Sequence, residues 1–589
     1  MKALRQNGGL FRYFCPMRFF PILLISLLYF ATNSKAQTTY MPLGYDLYHR
    51  LDRLDVKSSG AVSNHTALKP YSREHWIKVQ QWIASAGDNK VDSFFKDYLD
   101  KDNPEWAWSK DKSNRNPKPI AKYFYGHRNA LFTYIEPTGS NYLLVNPILG
   151  LTSGSDFSGG KMLYTNTRGA EVRGKIGDKL GFYSQITDNQ TRVPAYMQER
   201  VNNTDTVLPG SGFIKPFKSQ YFGGTNAYDY FLAKGYITFQ PIKKYMDLQF
   251  GQDRNFIGNG IRSLILSDFS TDYLFLKLNT RVRRVNYMNL FTKMADYQGR
   301  NIGSSINPKY MAMHHISVNV TKNLNVGLFE SVVFQRKDSF GQVQGFELDY
   351  LNPIIFYRSV EHGNNSVDNS LLGVDWKWNF LHRFSLYGQL VLDEFLLGHI
   401  RARDGWWGNK YGIQAGMKYI DAFKIKNLDL QAEFNTVRPY TYTHEKTGTN
   451  YSHYGQPLAH PLGANFQEYI LKAWYQTAKR LTVQATYIAS TTGLDSNGSH
   501  WGSNIFADYH KRQRVGKPDY DLNHFTSQGV KTVINIFDFR LTYMPWHNFF
   551  LDLTYLMRTQ SSVLAAYDRK VSMLNLSLRL NLPVRENWY

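Results

Sequence analysis

The clearest pattern in the chain is an alternation of leucine and polar residues close to its C-terminal end. From Leu574 to Leu582 every second residue is leucine, and the intervening residues are Asn, Ser, Arg and Asn. Successive side chains of a strand point to opposite sides, so one face would be apolar and the other polar. Such a strand suits a barrel wall with lipid outside and a wet lumen inside. The chain then ends on Trp588-Tyr589, an aromatic ending typical of this class.

The same alternation recurs upstream, at 428–435, 481–487 and 551–557, over lengths that cross a bilayer when tilted. Short connections are predicted near 177–178, 241–244, 281–284, 321–323, 380–383, 421–426, 477–479 and 545–547. Longer ones lie between them, at 188–228, 253–270, 336–369, 437–465 and 491–531. Short periplasmic turns and long outer loops produce this pattern in outer-membrane barrels. We therefore predict an all-β transmembrane antiparallel barrel of about 18 strands, the first at 141–152 and the last at 571–583, with 16 strands as the alternative.

The N-terminal region has the pattern of a signal peptide. Its basic start, with Lys2 and Arg18 at its limits, precedes an apolar stretch from Phe19 to Ala31, and Ser34-Lys35-Ala36 provides small residues for cleavage before Gln37. We assign residues 1–36 to this peptide; an uncleaved anchor helix is the alternative. The single cysteine precedes the apolar stretch, so the exported chain would lack disulfides and thiolate metal sites.

Residues 37–128 differ from the barrel pattern. Helical spacing over 44–56 and 71–99, with Trp76, Val79, Trp82 and Ile83 on one face, predicts a small helical segment. It would lie in the periplasm or in the barrel mouth. Residues 100–120 are polar and contain proline, which favours a linker. The barrel itself is assigned to 129–589.

Composition and net charge indicate what kind of partner the protein binds. Aromatic residues make up 15% of the chain, and the net charge is +22, of which five cations fall in the predicted signal peptide. Tyrosine-rich chains suit membrane interfaces. A basic exported protein indicates an anionic partner, such as an acidic polysaccharide or lipopolysaccharide, with lipid phosphates as the alternative. Nucleic acid is not expected at that location.

Catalytic and cofactor motifs are not found. The chain has no P-loop, no Gly-x-Ser-x-Gly and no His-Glu-x-x-His. The glycine-rich stretch 150–160 is interpreted as a loop. His314 and His315 are adjacent, so they would point to opposite faces and make a poor metal pair. We expect no enzyme activity, no metal and no cofactor.

Two stretches carry the candidate binding residues. In 251–267, Gly251, Gly258 and Gly260 permit tight bends, Asp253 and Arg254 could form an ion pair, and Arg262 adds a cation. In 394–409, the candidates are Arg401, Arg403, Trp406 and Trp407, beside Asp404. Arginine matches a uronate carboxylate, and tryptophan can stack on a sugar ring. The alternatives are an inward-folded loop without a ligand and an interfacial aromatic girdle.

The stretch 251–267 resembles the signature of Wzi-type capsule assembly proteins. Gly251, Arg254, Gly258, Gly260 and Ser263-Leu-Ile-Leu-Ser267 fit it, while Ile257 and Asn259 stand where the family often has Trp and Pro. Leu51-Asp-Arg-Leu, Lys69-Pro-Tyr-Ser-Arg, Glu347 with Asn352-Pro353, Tyr387-Gly-Gln and Asp393-Glu-Phe are similar to versions from Bacteroidota. The resemblance implies an 18-stranded barrel with an N-terminal helical segment that attaches capsular or exopolysaccharide to the cell surface.

Other classes remain open at this point. A porin or transport channel would need a clear lumen, whereas a filled lumen favours binding. Bacteroidota barrels that support gliding or adhesin display can share this barrel type. A soluble exported enzyme is a further alternative. The sequence predicts a monomer but does not identify the polysaccharide.

Overall fold

The computed structural model describes residues 39–60, 65–75, 79, 82–83, 90–107, 124–127, 130–136, 139–159, 162–177, 179–203, 207–218, 226–242, 245–297, 306–337, 340–355, 368–496, 498–515 and 521–589. The predicted signal peptide, residues 1–36, lies outside these ranges.

Alternating faces build a closed antiparallel barrel of 18 strands, as the sequence predicted. The strands are β1 (Tyr142–Asp156), β2 (Met162–Ile176), β3 (Leu180–Arg192), β4 (Ala227–Ile242), β5 (Met246–Asp253), β6 (Tyr273–Val282), β7 (Val285–Asp296), β8 (Asn307–Asn319), β9 (Leu324–Phe334), β10 (Asn369–Phe380), β11 (Phe384–Glu394), β12 (Lys410–Tyr419), β13 (Leu428–Val437), β14 (Phe466–Ala478), β15 (Leu481–Leu494), β16 (Val530–Trp546), β17 (Phe549–Ser562) and β18 (Arg569–Leu580). Closure comes from β18 pairing with β1, in register from Leu580 with Leu149 to Met573 with Asp156.

The predicted loop at 150–160 is wrong, because β1 continues to Asp156. This part of β1 pairs with β2 on one side and with β18 on the other. Its glycines reflect that closeness: a Cβ on Gly154 would lie 2.5 Å from the carbonyl oxygen of Leu574. Glycine here serves the barrel closure rather than a turn.

Connections at one end of the barrel are short, such as 283–284, 479–480 and 547–548. Those at the other end include 193–226, 335–368, 438–465 and 495–529. This confirms the alternation and identifies the outer side by its long loops. β1 begins and β18 ends at the short-turn end, but residues 581–589 turn back into the lumen. Trp588 and Tyr589 are only 2% and 8% exposed there, so the aromatic ending is not part of the last strand.

The N-terminal segment closes the periplasmic mouth with helices α1 (Leu47–Lys57), α2 (Lys90–Asp102) and α3 (Pro104–Ala107). The predicted linker is therefore helical at 100–102 and 104–107. Ion pairs fix α1 to the wall: Asp52 binds Lys418 at 2.6 Å, and Asp55 binds Lys377 at 2.8 Å. A strand pair, Phe124–His127 with Ala130–Ile135, then adds to the periplasmic end of β1. Among the described residues, every helix is too short or too polar to cross a bilayer.

Short elements complete the description. Helices α4 (Ala195–Asn203) and α5 (Leu397–Ala402) lie in outer loops, and the two-residue strands are Leu68–Lys69, Lys215–Pro216, Phe256–Ile257, Ser452–His453 and Gln456–Pro457. Single 3-10 turns occur at Leu348–Leu351, Ala422–Lys424, Thr447–Thr449, Tyr509–Lys511 and Ala565–Tyr567.

The loop after β9 folds down the outside of the barrel rather than away from it. We call residues 340–355 the external segment. Tyr350 stacks on Phe334 with ring centroids 4.4 Å apart, and the hydroxyl of Tyr287 donates to the carbonyl of Pro353. Tyr287 lies close to the periplasmic end of β7, so the segment follows the wall across much of the membrane depth.

The wall beneath this segment is mainly apolar but contains a polar pair. Glu330 and His314 face each other on β9 and β8, and both point outward, as does the exposed Leu328 two residues away. Yet Glu330 is only 4% exposed and His314 only 6%. A carboxylate facing lipid is costly, so the external segment shields a patch that bare lipid would not tolerate.

The effect of substituting Glu330 on the stability of the barrel should depend on the external segment. With residues 340–355 replaced by a short Gly-Ser linker, Glu330→Leu should stabilise the barrel by roughly 1–3 kcal/mol, because it removes a lipid-exposed carboxylate. In the full chain the same change should not stabilise, since Glu330 has polar contacts there. Heat-modifiable gel mobility of the four proteins gives the comparison. An equal effect of Glu330→Leu in both backgrounds contradicts the shielding role.

Candidate functional site

The stretch predicted from 251–267 folds into the lumen between β5 and β6. We call residues 254–272 the plug loop. Its apolar residues Ile257, Leu264, Ile265 and Leu266 are each at most 1% exposed and pack against Tyr273 and other lumen residues. The hydroxyl of Tyr442 donates to the carbonyl of Leu264 at 2.7 Å. The plug loop thus lies inside the barrel and fills part of the lumen, rather than projecting outward from the barrel.

The three predicted glycines each permit a close approach. A side chain at Gly251, where φ is +156°, would collide with the backbone of Gly235 in β4. At Gly258, where φ is +151°, a Cβ would lie 2.7 Å from the side-chain amide of Gln389, and at Gly260 it would lie 2.5 Å from Glu433. Only a residue without Cβ fits these contacts.

The carboxylate of Glu433 holds the plug loop against the wall. It accepts hydrogen bonds from the backbone N–H groups of Ile261 at 2.7 Å and Arg262 at 3.0 Å, and from the hydroxyl of Tyr387 at 2.8 Å. A buried charge of this kind is tolerated when it is fully hydrogen-bonded. Gln389 adds a second anchor by accepting from the N–H of Leu264 at 2.8 Å.

The predicted ion pair between Asp253 and Arg254 is wrong. Arg254 instead lies 3.0 Å from a carboxylate oxygen of Asp272 and donates to the carbonyl of Asp268 at 2.9 Å. Asp253 ends β5 with its side chain in the lumen, where it faces Lys234 at 3.5 Å. Chain-adjacent residues at a strand end point in different directions, so each pairs with a residue next to it on a neighbouring element: Lys234 on β4, and Asp272 just before β6.

Arg262 joins the plug loop to two other parts of the chain. Its guanidinium lies 3.4 Å from Glu468 in β14 and donates to the carbonyl of Trp588 in the C-terminal tail. Glu468 also contacts His460 at 2.8 Å. Arg254 and Arg262 therefore sit inside the barrel among fixed partners, and their contact with a glycan stays a prediction.

The second predicted group lies on the outer side, far along the barrel from the periplasmic turns. Arg401 and Arg403 are exposed, while Trp406 and Trp407 are partly exposed. Arg403 adopts a left-handed conformation, with φ of +55°, at the end of α5. The structure thus brings the four residues onto one loop, 395–409, and separates them from the plug loop.

This loop is held in place by the neighbouring loop 495–529. The backbone N–H of Trp407 donates to the carbonyl of Asp521 at 2.9 Å, and that of His524 donates to Gly405 at 2.8 Å. Arg438 crosses beneath them and donates to the carbonyls of Trp406 and His524, both at 3.0 Å. The tip carrying the two tryptophans is therefore preorganised.

Cationic and aromatic side chains alternate across this surface. We call six of its residues the outer cluster: Arg401, Arg403, Trp406, Trp407, Tyr509 and Arg512. The ring centroids of Trp407 and Tyr509 are 5.2 Å apart. The guanidinium of Arg512 lies 4.0 Å from the centroid of Trp407, and the ammonium of Lys410 lies 4.0 Å from that of Tyr509. Such cation–π contacts fix the rings. The ammonium of Lys410 also lies 5.0 Å from the centroid of Trp407, and His399 stacks on Trp406 with ring centroids 4.8 Å apart.

Asp404 is the carboxylate nearest to these cations in the loop. The Nδ1 of His399 lies 2.6 Å from it, and the backbone N–H of Trp406 donates to it at 3.0 Å. The hydrogen bond with His399 lowers the pKa of Asp404, so this carboxylate stays charged and shapes the turn. It does not pair with Arg401 or Arg403 in the part of the chain that the structure describes.

Sequence reasoning missed Tyr509 and Arg512. The run Tyr509-His-Lys-Arg-Gln-Arg514 is basic and starts with an aromatic residue, a signal comparable to that of 401–407. The sequence does not show which outer loops are neighbours, so it could not place this run beside residues 401–407. Within the described residues, no group of three or more His, Cys, Asp or Glu side chains could hold a metal ion.

A closed 18-stranded antiparallel barrel with lipid-facing leucines and a filled lumen defines an outer-membrane β-barrel protein. The chain belongs to the capsule assembly protein Wzi family, whose model matches residues 154–555. The predicted resemblance is confirmed; the Bacteroidota branch stays a prediction.

Three solved structures are similar to this chain. Wzi of Escherichia coli, described as a carbohydrate-binding β-barrel involved in group 1 capsule assembly, aligns with a TM-score of 0.54 and 12% identity, covering 93% of this chain and 100% of that one. OprD of Pseudomonas aeruginosa aligns at 0.39 and 10% identity, covering 76% and 94%. OccK8 of the same species aligns at 0.38 and 10%, covering 75% and 98%. A search of curated proteins found no match.

The filled lumen predicts a barrel without steady ion conductance. Gly260→Val should produce channel openings, because a side chain there collides with Glu433 and displaces the plug loop. Planar bilayer recordings measure both proteins. Gly345→Val is the matched control, since a Cβ at Gly345 meets nothing within 4 Å. Steady porin-like conductance of the unmodified protein would falsify the filled lumen.

Proposed function

We propose that this protein binds an acidic surface polysaccharide at the outer cluster and helps assemble or attach it at the cell surface, without catalysis. The observation that carries the proposal is the pair of exposed arginines beside two preorganised tryptophans on the outer side. Membership in the capsule assembly protein Wzi family and the fold it shares with a carbohydrate-binding barrel support it.

The chemistry of the outer cluster fits a polyanionic glycan. Arg401 and Arg403 present planar guanidinium groups that can bind a uronate carboxylate through two hydrogen bonds. Trp406 and Trp407 are partly exposed, and the exposed part of each ring offers an apolar surface for a sugar ring. Because the cluster lies on loops rather than on strands, a long polymer can pass over it without entering the barrel.

Several finer statements belong to the same proposal. The partner is acidic polysaccharide or lipopolysaccharide rather than nucleic acid, since the net charge of +22, which is +17 without the five cations of the predicted signal peptide, suits a polyanion and the location is the cell surface. The protein acts as a monomer embedded in outer-membrane lipid. We assign the main glycan contact to the outer cluster, and glycan contact by Asp253, Arg254 and Arg262 inside the barrel stays a prediction.

The test is binding of purified host surface polysaccharide to the detergent-solubilised protein. We expect saturable binding, weakened by salt, that falls at least tenfold in the variant Arg401→Gln/Arg403→Gln/Trp406→Ala. Each lost charged hydrogen bond costs about 1.5 kcal/mol or more, which corresponds to roughly tenfold in affinity. Biolayer interferometry at two salt concentrations measures the effect.

The matched control changes the same residue types on the periplasmic side: Arg284→Gln/Arg480→Gln/Trp546→Ala. Trp546 is exposed, at 69%, so its loss should leave the fold and the binding unchanged. If the control variant loses as much affinity as the outer-cluster variant, or if neither loses any, polysaccharide does not bind at the outer cluster.

A further inference from the structure

A cavity of 380 Å³ lies in the lumen between the N-terminal segment, the plug loop and the C-terminal tail. Its volume falls in the range of small-molecule sites, roughly 300–1,000 Å³. Residues 43–46 and Pro583 line its periplasmic end, and Arg262 and Tyr589 line its deeper part. The outer cluster contributes nothing to its wall.

Cationic side chains outnumber carboxylates along this cavity; they are Lys69, Lys234, Arg254, Arg262, Lys472 and Arg585. Four of them have anionic partners. Arg254 lies 3.0 Å from Asp272, Arg262 lies 3.4 Å from Glu468, Lys234 lies 3.5 Å from Asp253 and Lys472 lies 3.6 Å from Glu586. These pairs neutralise much of the wall but not all of it.

Lys69 and Arg585 remain without a carboxylate within 4.0 Å among the described residues. The ammonium of Lys69 lies 4.8 Å from the ring centroid of Phe256. The guanidinium of Arg585 donates only to neutral groups, the hydroxyl of Tyr230 and, at 3.3 Å, the side chain of Asn189. Both cations come from chain segments that fill the lumen, one from each end of the chain.

The surroundings of Lys69 leave its charge poorly stabilised. Burial lowers the pKa of Lys69 to about 8, although Asp52 opposes the shift. A bound anion would offset that cost. Arg585 is exposed and offers a planar guanidinium to the cavity.

We propose that this cavity is a second binding site, for a small saccharide that carries a carboxylate or a phosphate. The anionic group binds Arg585, and Lys69, which lines the same cavity, adds to the positive potential there. The sugar ring lies along the aromatic lining, to which Tyr48 and Trp474 contribute. The size of the cavity admits a saccharide unit or two but not a polymer, so this site and the outer cluster recognise different forms of ligand.

The lumen site is independent of the proposed function, because its residues and its ligand are separate. Isothermal titration with glucuronate, glucose 1-phosphate and neutral glucose tests it on the full-length protein. We expect saturable binding of at least one anionic probe, with glucose at least tenfold weaker. Binding of only one of the two identifies carboxylate or phosphate as the preferred group.

The variants Arg585→Gln and Lys69→Met/Arg585→Gln should weaken anion binding about tenfold and more than tenfold, respectively. The matched control Lys96→Met/Arg284→Gln changes cations outside the cavity and should bind like the parent protein. The outer-cluster variant should also retain anion binding. The proposal is overturned if no anionic probe binds, or if Arg585→Gln binds as tightly as the control. It is also overturned if the outer-cluster variant alone loses binding.

Discussion

The arrangement of the lumen depends on one buried carboxylate, that of Glu433. By accepting the N–H groups of Ile261 and Arg262, it fixes the plug loop at the point where the loop turns. The loop in turn provides Phe256–Ile257, which pairs with Leu68–Lys69 of the N-terminal segment, and the guanidinium of Arg262, which holds the C-terminal tail. A carboxylate inside a barrel is costly unless it is fully hydrogen-bonded, so wall and plug stabilise each other.

Much of the fold could be predicted because a barrel strand has two unlike neighbours, lipid and lumen. That contrast appears at every second residue, as in Leu574–Leu580, and it locates the strands and the short turns. Leu582, predicted on the same apolar face, instead lies beyond β18 and is buried. Helical spacing located α1 equally well. Periodicity does not reveal what lies opposite a residue, however. Adjacency in the sequence suggested an ion pair between Asp253 and Arg254, whereas Arg254 pairs with Asp272, which only the fold of the plug loop brings close.

The candidate site was predicted only in part for the same reason. The residues Arg401, Arg403, Trp406 and Trp407 are close in sequence, so composition alone was enough to single them out. Tyr509 and Arg512 complete the surface from another loop, and only the barrel order brings the two loops together. The external segment was likewise expected as an ordinary outer loop. Nothing local to residues 340–355 indicates that Glu330, on a strand, needs a cover.

The filled lumen also constrains how a polysaccharide can be handled. The plug loop, the N-terminal segment and the tail occupy the space through which a polymer would have to thread, and several charged pairs would have to break to clear it. Breaking one buried pair costs about 3–5 kcal/mol, so passage through several is unfavourable without an energy source. A polymer that reaches the outer cluster must therefore arrive from outside the barrel. This geometry favours attachment of polysaccharide already at the surface over its export through this protein.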